Sequence, residues 1–133
     1  MYKKIGTAIA VLLGLFALAN GMFMAVSPED WYWAVAGVPD RGPFNQHFAR
    51  DIGFIYTLIG VAFLYGGVYA KYRLQLWLMP TAWLVIHAIF HIWEVVVGIC
   101  GPKSLVEDFA GVTLPALFAL ALLYGSHRAK QDE

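Results

Sequence analysis

Long apolar windows alternate along this chain with short polar breaks. Ile5–Val26 is apolar almost throughout, and the pattern returns over about 48–70, 74–98 and 105–124. Each window is close to the ~20 residues that carry a helix across ~30 Å of hydrocarbon. Strands of a membrane barrel would instead alternate with a period of two over about ten residues. A helix satisfies its own backbone N–H and C=O groups, as lipid demands. The pattern therefore predicts an all-α fold, an integral membrane four-helix bundle forming one domain over 1–133.

The breaks carry their own signals. Lys71-Tyr72-Arg73 predicts a tight turn, and Gly101-Pro102 interrupts the connection over 98–104. The loop over 27–46 is the longest. Its Ser27-Pro28-Glu29-Asp30 reads as a helix start, with Ser27 as cap and Pro28 at the first helical position, so Trp31-Tyr32-Trp33 are expected on a short interfacial helix. Val38–Pro43 reads as an ordered turn. The beginning, Met1–Lys4 followed by Ile5–Leu18 and Ala17-Leu18-Ala19, has the outline of a secretory leader. Because the apolar run continues to Val26, the segment is long enough to span and is expected to remain as the first helix.

Composition sharpens the class. The chain is 60% hydrophobic and 14% charged, with a mean hydropathy of +0.64. Soluble domains carry about a quarter charged residues. Formal net charge is zero, and no run of Lys or Arg offers a footprint for nucleic acid. A single cysteine, Cys100, excludes an internal disulfide and a Cys-rich zinc knuckle. Lys3, Lys4, Lys71, Arg73, Arg128 and Lys130 fall on one side of the membrane, against Arg41, Arg50 and Lys103 on the other. That bias predicts both termini in the cytoplasm. In a bacterium the membrane is then the inner one and the opposite face periplasmic.

Ionisable residues inside a span cost roughly 2.5–3.5 kcal/mol each at mid-membrane on insertion scales, so they need a reason. The third window carries His87-Ala-Ile-Phe-His91-Ile-Trp-Glu94, whose offsets of four and three put His87, His91 and Glu94 on one face. The second opens with Asn45-Gln-His47-Phe-Ala-Arg50-Asp51, where His47 and Asp51 share a face. Antiparallel neighbours would bring Asp51 and Glu94 to one depth, with Arg50 and His91 nearby. Asn20 ends the first window, and Glu107 and Asp108 open the fourth. The polar groups thus gather in the outer half, while the stretches 58–69 and 77–86 carry no His, Lys, Arg, Asp or Glu.

Three readings follow. His87, His91 and Glu94, with His47 and Asp51, form a metal site, since imidazole and carboxylate suit Zn, Fe, Mn or Cu; Arg50, Asn45, Asn20, Glu107 and Asp108 then serve as a supporting network. Alternatively the same groups pair with one another and fix helix packing, as in an accessory subunit of a larger membrane complex or a homo-oligomer. Thirdly, the histidines ligate haem or hydrogen-bond a quinone, although His47 lies near the surface for a second axial ligand. Gly53, Gly60 and Gly67 recur every seven residues and read as helix packing, and Pro115 as a kink.

Asn45-Gln-His-Phe-Ala-Arg-Asp-Ile-Gly53, together with His87–Glu94, resembles a pattern in small bacterial membrane proteins and is similar to the DoxX-like four-helix group. The resemblance covers the two central helices. It implies four helices and a bacterial inner membrane, and it implies no activity.

Overall fold

The computed structural model describes residues 2–131 of the chain. Its helices are α1 (Tyr2–Val26), α2 (Pro28–Ala34), α3 (Gln46–Val68), α4 (Arg73–Val96), α5 (Lys103–Glu107) and α6 (Leu114–Gln131). Short 3-10 turns occupy Pro39–Arg41 and Ala70–Tyr72, a π turn over Phe109–Thr113 joins α5 to α6, and no strand occurs among the described residues. Four segments are long and apolar enough to cross a membrane: Ile5–Val26, Gln46–Val68, Ala70–Val96 and Phe109–Gln131. This is the architecture of an integral membrane protein. Leu12, Leu58, Met79 and Ile86 are all well exposed on the outside of the bundle. In water they would form an aggregating surface; in a bilayer they are the contact with lipid.

Contacts between the helices set their directions. Gly14 meets Gly60 and Gly21 meets Gly53, so α1 and α3 are antiparallel. Tyr56 faces His87 and Phe63 faces Trp77, which turns α4 back along α3. Thr81 Oγ1 donates to the Ala119 carbonyl and His91 meets Asp108, which turns α6 back along α4. The start of α1 and the end of α6 therefore share one end of the bundle, the terminal end. The loop after α1 and the connection after α4 share the other, the cap end.

The α1–α3 pair is the tightest. A Cβ at Gly21 would stand 2.5 Å from the Gly53 carbonyl and the Thr57 amide, and one at Gly60 would stand 2.6 Å from the Leu18 amide. Only glycine lets the two backbones approach so closely, and lipid rewards such packing because it offers helices no hydrophobic drive to associate. Phe63, Trp77, Thr81 and Leu84 fill the remaining core. At the terminal end Arg73 donates to the carbonyls of Gly66 and Gly67, at 2.9 and 3.1 Å, and to Thr7 Oγ1 at 2.9 Å. Its guanidinium thereby satisfies acceptors that the last turn of α3 leaves open and stands where the helix dipole favours a cation.

Two local expectations change. The Ser27 hydroxyl makes no capping bond; Ser27 offers its carbonyl to Trp31 N at 3.0 Å, while Pro28 does take the first position of α2. The fourth span is not a plain helix over 105–124. Asp108 O accepts from Val112 N at 2.8 Å and from Thr113 N at 3.2 Å, a widened turn just ahead of Pro115. Pro115 has no N–H for the carbonyl four residues back, and its ring crowds that carbonyl, so the preceding turn opens rather than the whole helix bending.

Gly60→Ala should lose about 1–3 kcal/mol through overpacking against Leu18. Gly67→Ala, whose Cβ would meet only the side chains of Val11 and Ala10 at 3.6 Å or more, should be neutral or gain up to about 1 kcal/mol of helix propensity. Unfolding of both variants in detergent micelles measures the contrast.

Candidate functional site

On α4 the four-residue offset stacks His87 and His91 on one face, and their rings meet edge to face with centroids 4.5 Å apart. His87 lies parallel to the Trp83 indole and edge-on to the Tyr56 ring, both at 6.3 Å. Its surroundings are therefore aromatic and lie inside the bundle.

His91, one turn nearer the cap, meets charge. Asp108, at the junction of α5 and the π turn, is buried, and its Oδ2 lies 2.8 Å from His91 Nδ1. Arg41 reaches both: Nη2 donates to Asp108 Oδ2 at 2.9 Å, and Nη1 stands 2.9 Å from His91 Nδ1. The side chains of all three are at most 17% exposed. A guanidinium fork suits this task because it presents two donors in a fixed plane to two neighbouring acceptors.

The loop that carries Arg41 is itself fixed. Pro39 begins the 3-10 turn over Pro39–Arg41, and the Tyr32 hydroxyl donates to the Gly42 carbonyl at 2.7 Å. Trp31 Nε1 donates to Asn20 Oδ1 at 2.9 Å, tying α2 to the end of α1. On the other side α4 stops at Gly98, whose φ of 79° belongs to glycine, and the Glu94 carbonyl accepts from the amides of Ile99 and Cys100. Gly37, with φ of 80°, passes beneath Glu107 and Arg41, where a Cβ would stand 3.0 Å from Glu107 Oε2.

Burial of Arg41 works against its charge, but the hydrogen bond and charge of Asp108, helped by Cys100 and Glu94, outweigh it and raise the Arg41 pKa. The guanidinium is thus held as a cation. Lys103 is raised as well, by its 2.6 Å ion pair with Glu107. Above Arg41 the surface opens into a cavity of about 250 Å3 lined by Asp40, Cys100, Lys103, Ser104 and Glu107 among others.

The structure divides the expected residue set. His87, His91 and Asp108 come together. His47 and Asp51 pair with each other at 3.3 Å on the surface, 88% and 57% exposed, and among the described residues no hydrogen bond or ion pair joins them to His87 or His91. Arg50 does not balance the carboxylates; it donates to the Ala25 carbonyl and to Gln46 Oε1, both at 3.1 Å. Asn45 caps α3 by accepting from the amides of His47 and Phe48, and Asn20 serves Trp31. Glu94 is half-buried and makes no hydrogen bond or ion pair among the described residues, acting on Arg41 only through space. In the sequence Arg41 reads only as a charge in the loop. The signal that marks it is its place in Val38-Pro-Asp-Arg-Gly-Pro43, an ordered turn level with several unmatched carboxylates.

Among the described residues no three His, Cys, Asp or Glu side chains are grouped so as to hold a metal ion. What the cluster does is hold a cation, an anion and an imidazole within hydrogen-bond distance of one another. Comparison of the chain with models of protein families, with curated proteins and with solved structures finds no match.

Asp108→Ala should cost about 3 kcal/mol, because it leaves the Arg41 charge buried without its partner. Asp51→Ala, at the exposed pair with His47, should cost less than about 1 kcal/mol. Equal losses in a detergent unfolding assay would contradict the assignment.

Proposed function

We propose that this chain is a structural membrane protein, an accessory subunit of a larger membrane assembly, whose polar cluster locks the cap loop across the ends of α4 and α6. The observation that carries this reading is the Arg41 fork on His91 and Asp108. Arg41, His91 and Asp108 satisfy one another, and removing the Asp108 carboxylate leaves the Arg41 cation without its ion-pair partner. Such a network contributes register and a fixed surface more than net stability. The count of basic residues supports both termini in the cytoplasm and the cap end on the opposite face, which in a bacterium is the periplasmic side of the inner membrane.

Mild extraction followed by sizing tests the reading. The 14.8 kDa chain should elute with other membrane proteins in a heteromeric complex. A lone monomer or a small homo-oligomer would count against it.

Metal binding is the second reading, supported by pairs rather than by a grouped set of three: the His87 and His91 rings lie 4.5 Å apart by centroid, and His91 Nδ1 lies 2.8 Å from the Asp108 carboxylate. Those donors suit Zn, Fe, Mn or Cu. Metal analysis of the purified protein beside a His87→Ala/His91→Ala variant separates the two readings. The structural one predicts equal, near-zero content in both, whereas stoichiometric metal lost in the variant decides for a metal site.

A further inference from the structure

Along α3 the exposed residues Leu58, Val61, Tyr65 and Val68 follow at intervals of three and four, so they form one outward stripe. It is apolar until its last turns. There the Tyr65 ring packs on Tyr69 with centroids 4.5 Å apart and on Tyr72 at 6.4 Å, and Lys71 Nζ stands 5.7 Å over the Tyr72 ring. All three tyrosines are well exposed, and among the described residues none of their hydroxyls makes a hydrogen bond. Charge at this corner is also unmatched. Among the described residues every Asp and Glu, from Glu29 to Asp108, belongs to the cap end, as does every ion pair. Arg73 is held by the Gly66 and Gly67 carbonyls, which keeps a positive charge here and takes up two acceptors that would repel an anion at the end of α3. Among the described residues Lys71 has the Tyr72 ring and no carboxylate.

We infer that this corner binds one anionic phospholipid, whose phosphate meets Lys71 and the phenols of Tyr65, Tyr69 and Tyr72 while an acyl chain lies along Leu58, Val61 and Val68. The match holds in depth. The corner lies where the span ending at Val68 gives way to the one beginning at Ala70, the level of the headgroups in either leaflet. Tyrosine suits that level because its ring is apolar and its end is polar.

The match holds in chemistry as well. An ammonium and three phenolic O–H groups all donate to phosphate oxygens, and the charge of Lys71 adds to that of Arg73. A zwitterionic lipid brings its own cation beside the phosphate and loses that attraction. A soluble phosphate would leave the stripe over Leu58, Val61 and Val68 bare, so the apolar track is what commits the site to lipid. The cap end offers no equivalent, because Arg41 is already matched by Asp108 and Lys103 by Glu107.

The site depends on the spans and the charge distribution and not on the accessory-subunit reading, so lipid retention and the sizing experiment fail independently. Native mass spectrometry of the full chain, released from detergent containing phosphatidylglycerol or phosphatidylcholine with the same acyl chains, counts the lipid retained. The unaltered protein should keep one phosphatidylglycerol in preference to phosphatidylcholine. Lys71→Gln should reduce that preference about fivefold, the usual weight of one basic residue at an anionic surface. Tyr65→Phe/Tyr69→Phe/Tyr72→Phe, which keeps the rings and removes the donors, should also weaken it. Lys103→Gln makes the same change in net charge at a residue already paired with Glu107, and should leave the preference intact. Equal retention of the two lipids overturns the site, as does an equal loss in Lys71→Gln and Lys103→Gln or a triple variant that behaves as the parent. Competition by inorganic phosphate as strong as by phosphatidylglycerol would mean a site for the free anion. Amine labelling of Lys71 should be slower in phosphatidylglycerol nanodiscs than in phosphatidylcholine ones. Equal labelling in both, with protection only in native membranes, would give the surface to a partner protein and overturn the lipid site.

Discussion

A guanidinium folded against the end of the bundle and only 17% exposed must find its acceptors within the protein, and the position of Arg41 follows from that constraint. Its charge is tolerated because Asp108 and His91 stand within 2.9 Å of its two terminal nitrogens. Those partners come from different elements. His91 is delivered by the face of α4 that also carries His87, and Asp108 by the turn that opens the fourth span. The cluster therefore joins loop, helix and turn at one point. Breaking it would remove the hydrogen bonds that Arg41 carries from the cap loop to α4 and Asp108, while α2 stays tied to α1 through Asn20.

Steric fit governs the remainder of the molecule. Gly14, Gly21, Gly53 and Gly60 let α1 and α3 approach until backbone meets backbone, forming a stiff pair against which α4 and α6 lean. Arg73 repeats at the terminal end what Arg41 does at the cap, with carbonyls of α3 as acceptors in place of a carboxylate. The difference is chemical. Carbonyls carry no formal charge, whereas the cap end sets the cation against a carboxylate and an imidazole.

Much of this was legible along the chain. The apolar windows predicted four spans, and the observed helices begin and end within a few residues of them except at the fourth. That departure follows from Pro115 acting through the turn before it, a three-dimensional effect that hydropathy does not register. The seven-residue spacing of Gly53, Gly60 and Gly67 identified a packing face, with the first two in the close approach and Gly67 more loosely set. The offsets within His87–Glu94 correctly placed both histidines on one face. They did not reveal the partner, because spacing on one helix says nothing about which loop folds over it. Arg50 stood closer in sequence to the expected carboxylates than Arg41, yet its helix turns it toward Ala25. His47 and Asp51 were rightly placed one turn apart, and their exposure at the start of α3 sets them apart from the buried pair.

A double-mutant cycle on Arg41 and Asp108, read as unfolding free energy in lipid-like detergent, tests the central claim most directly. Arg41→Met, Asp108→Asn and the combined variant form the cycle. If the two side chains depend on each other as described, the combined loss falls short of the sum of the single losses by about 2 kcal/mol or more, in the range measured for coupled buried neighbours. Losses that add to within about 0.5 kcal/mol would mean that the two groups act independently, and the cap would have to be held in some other way.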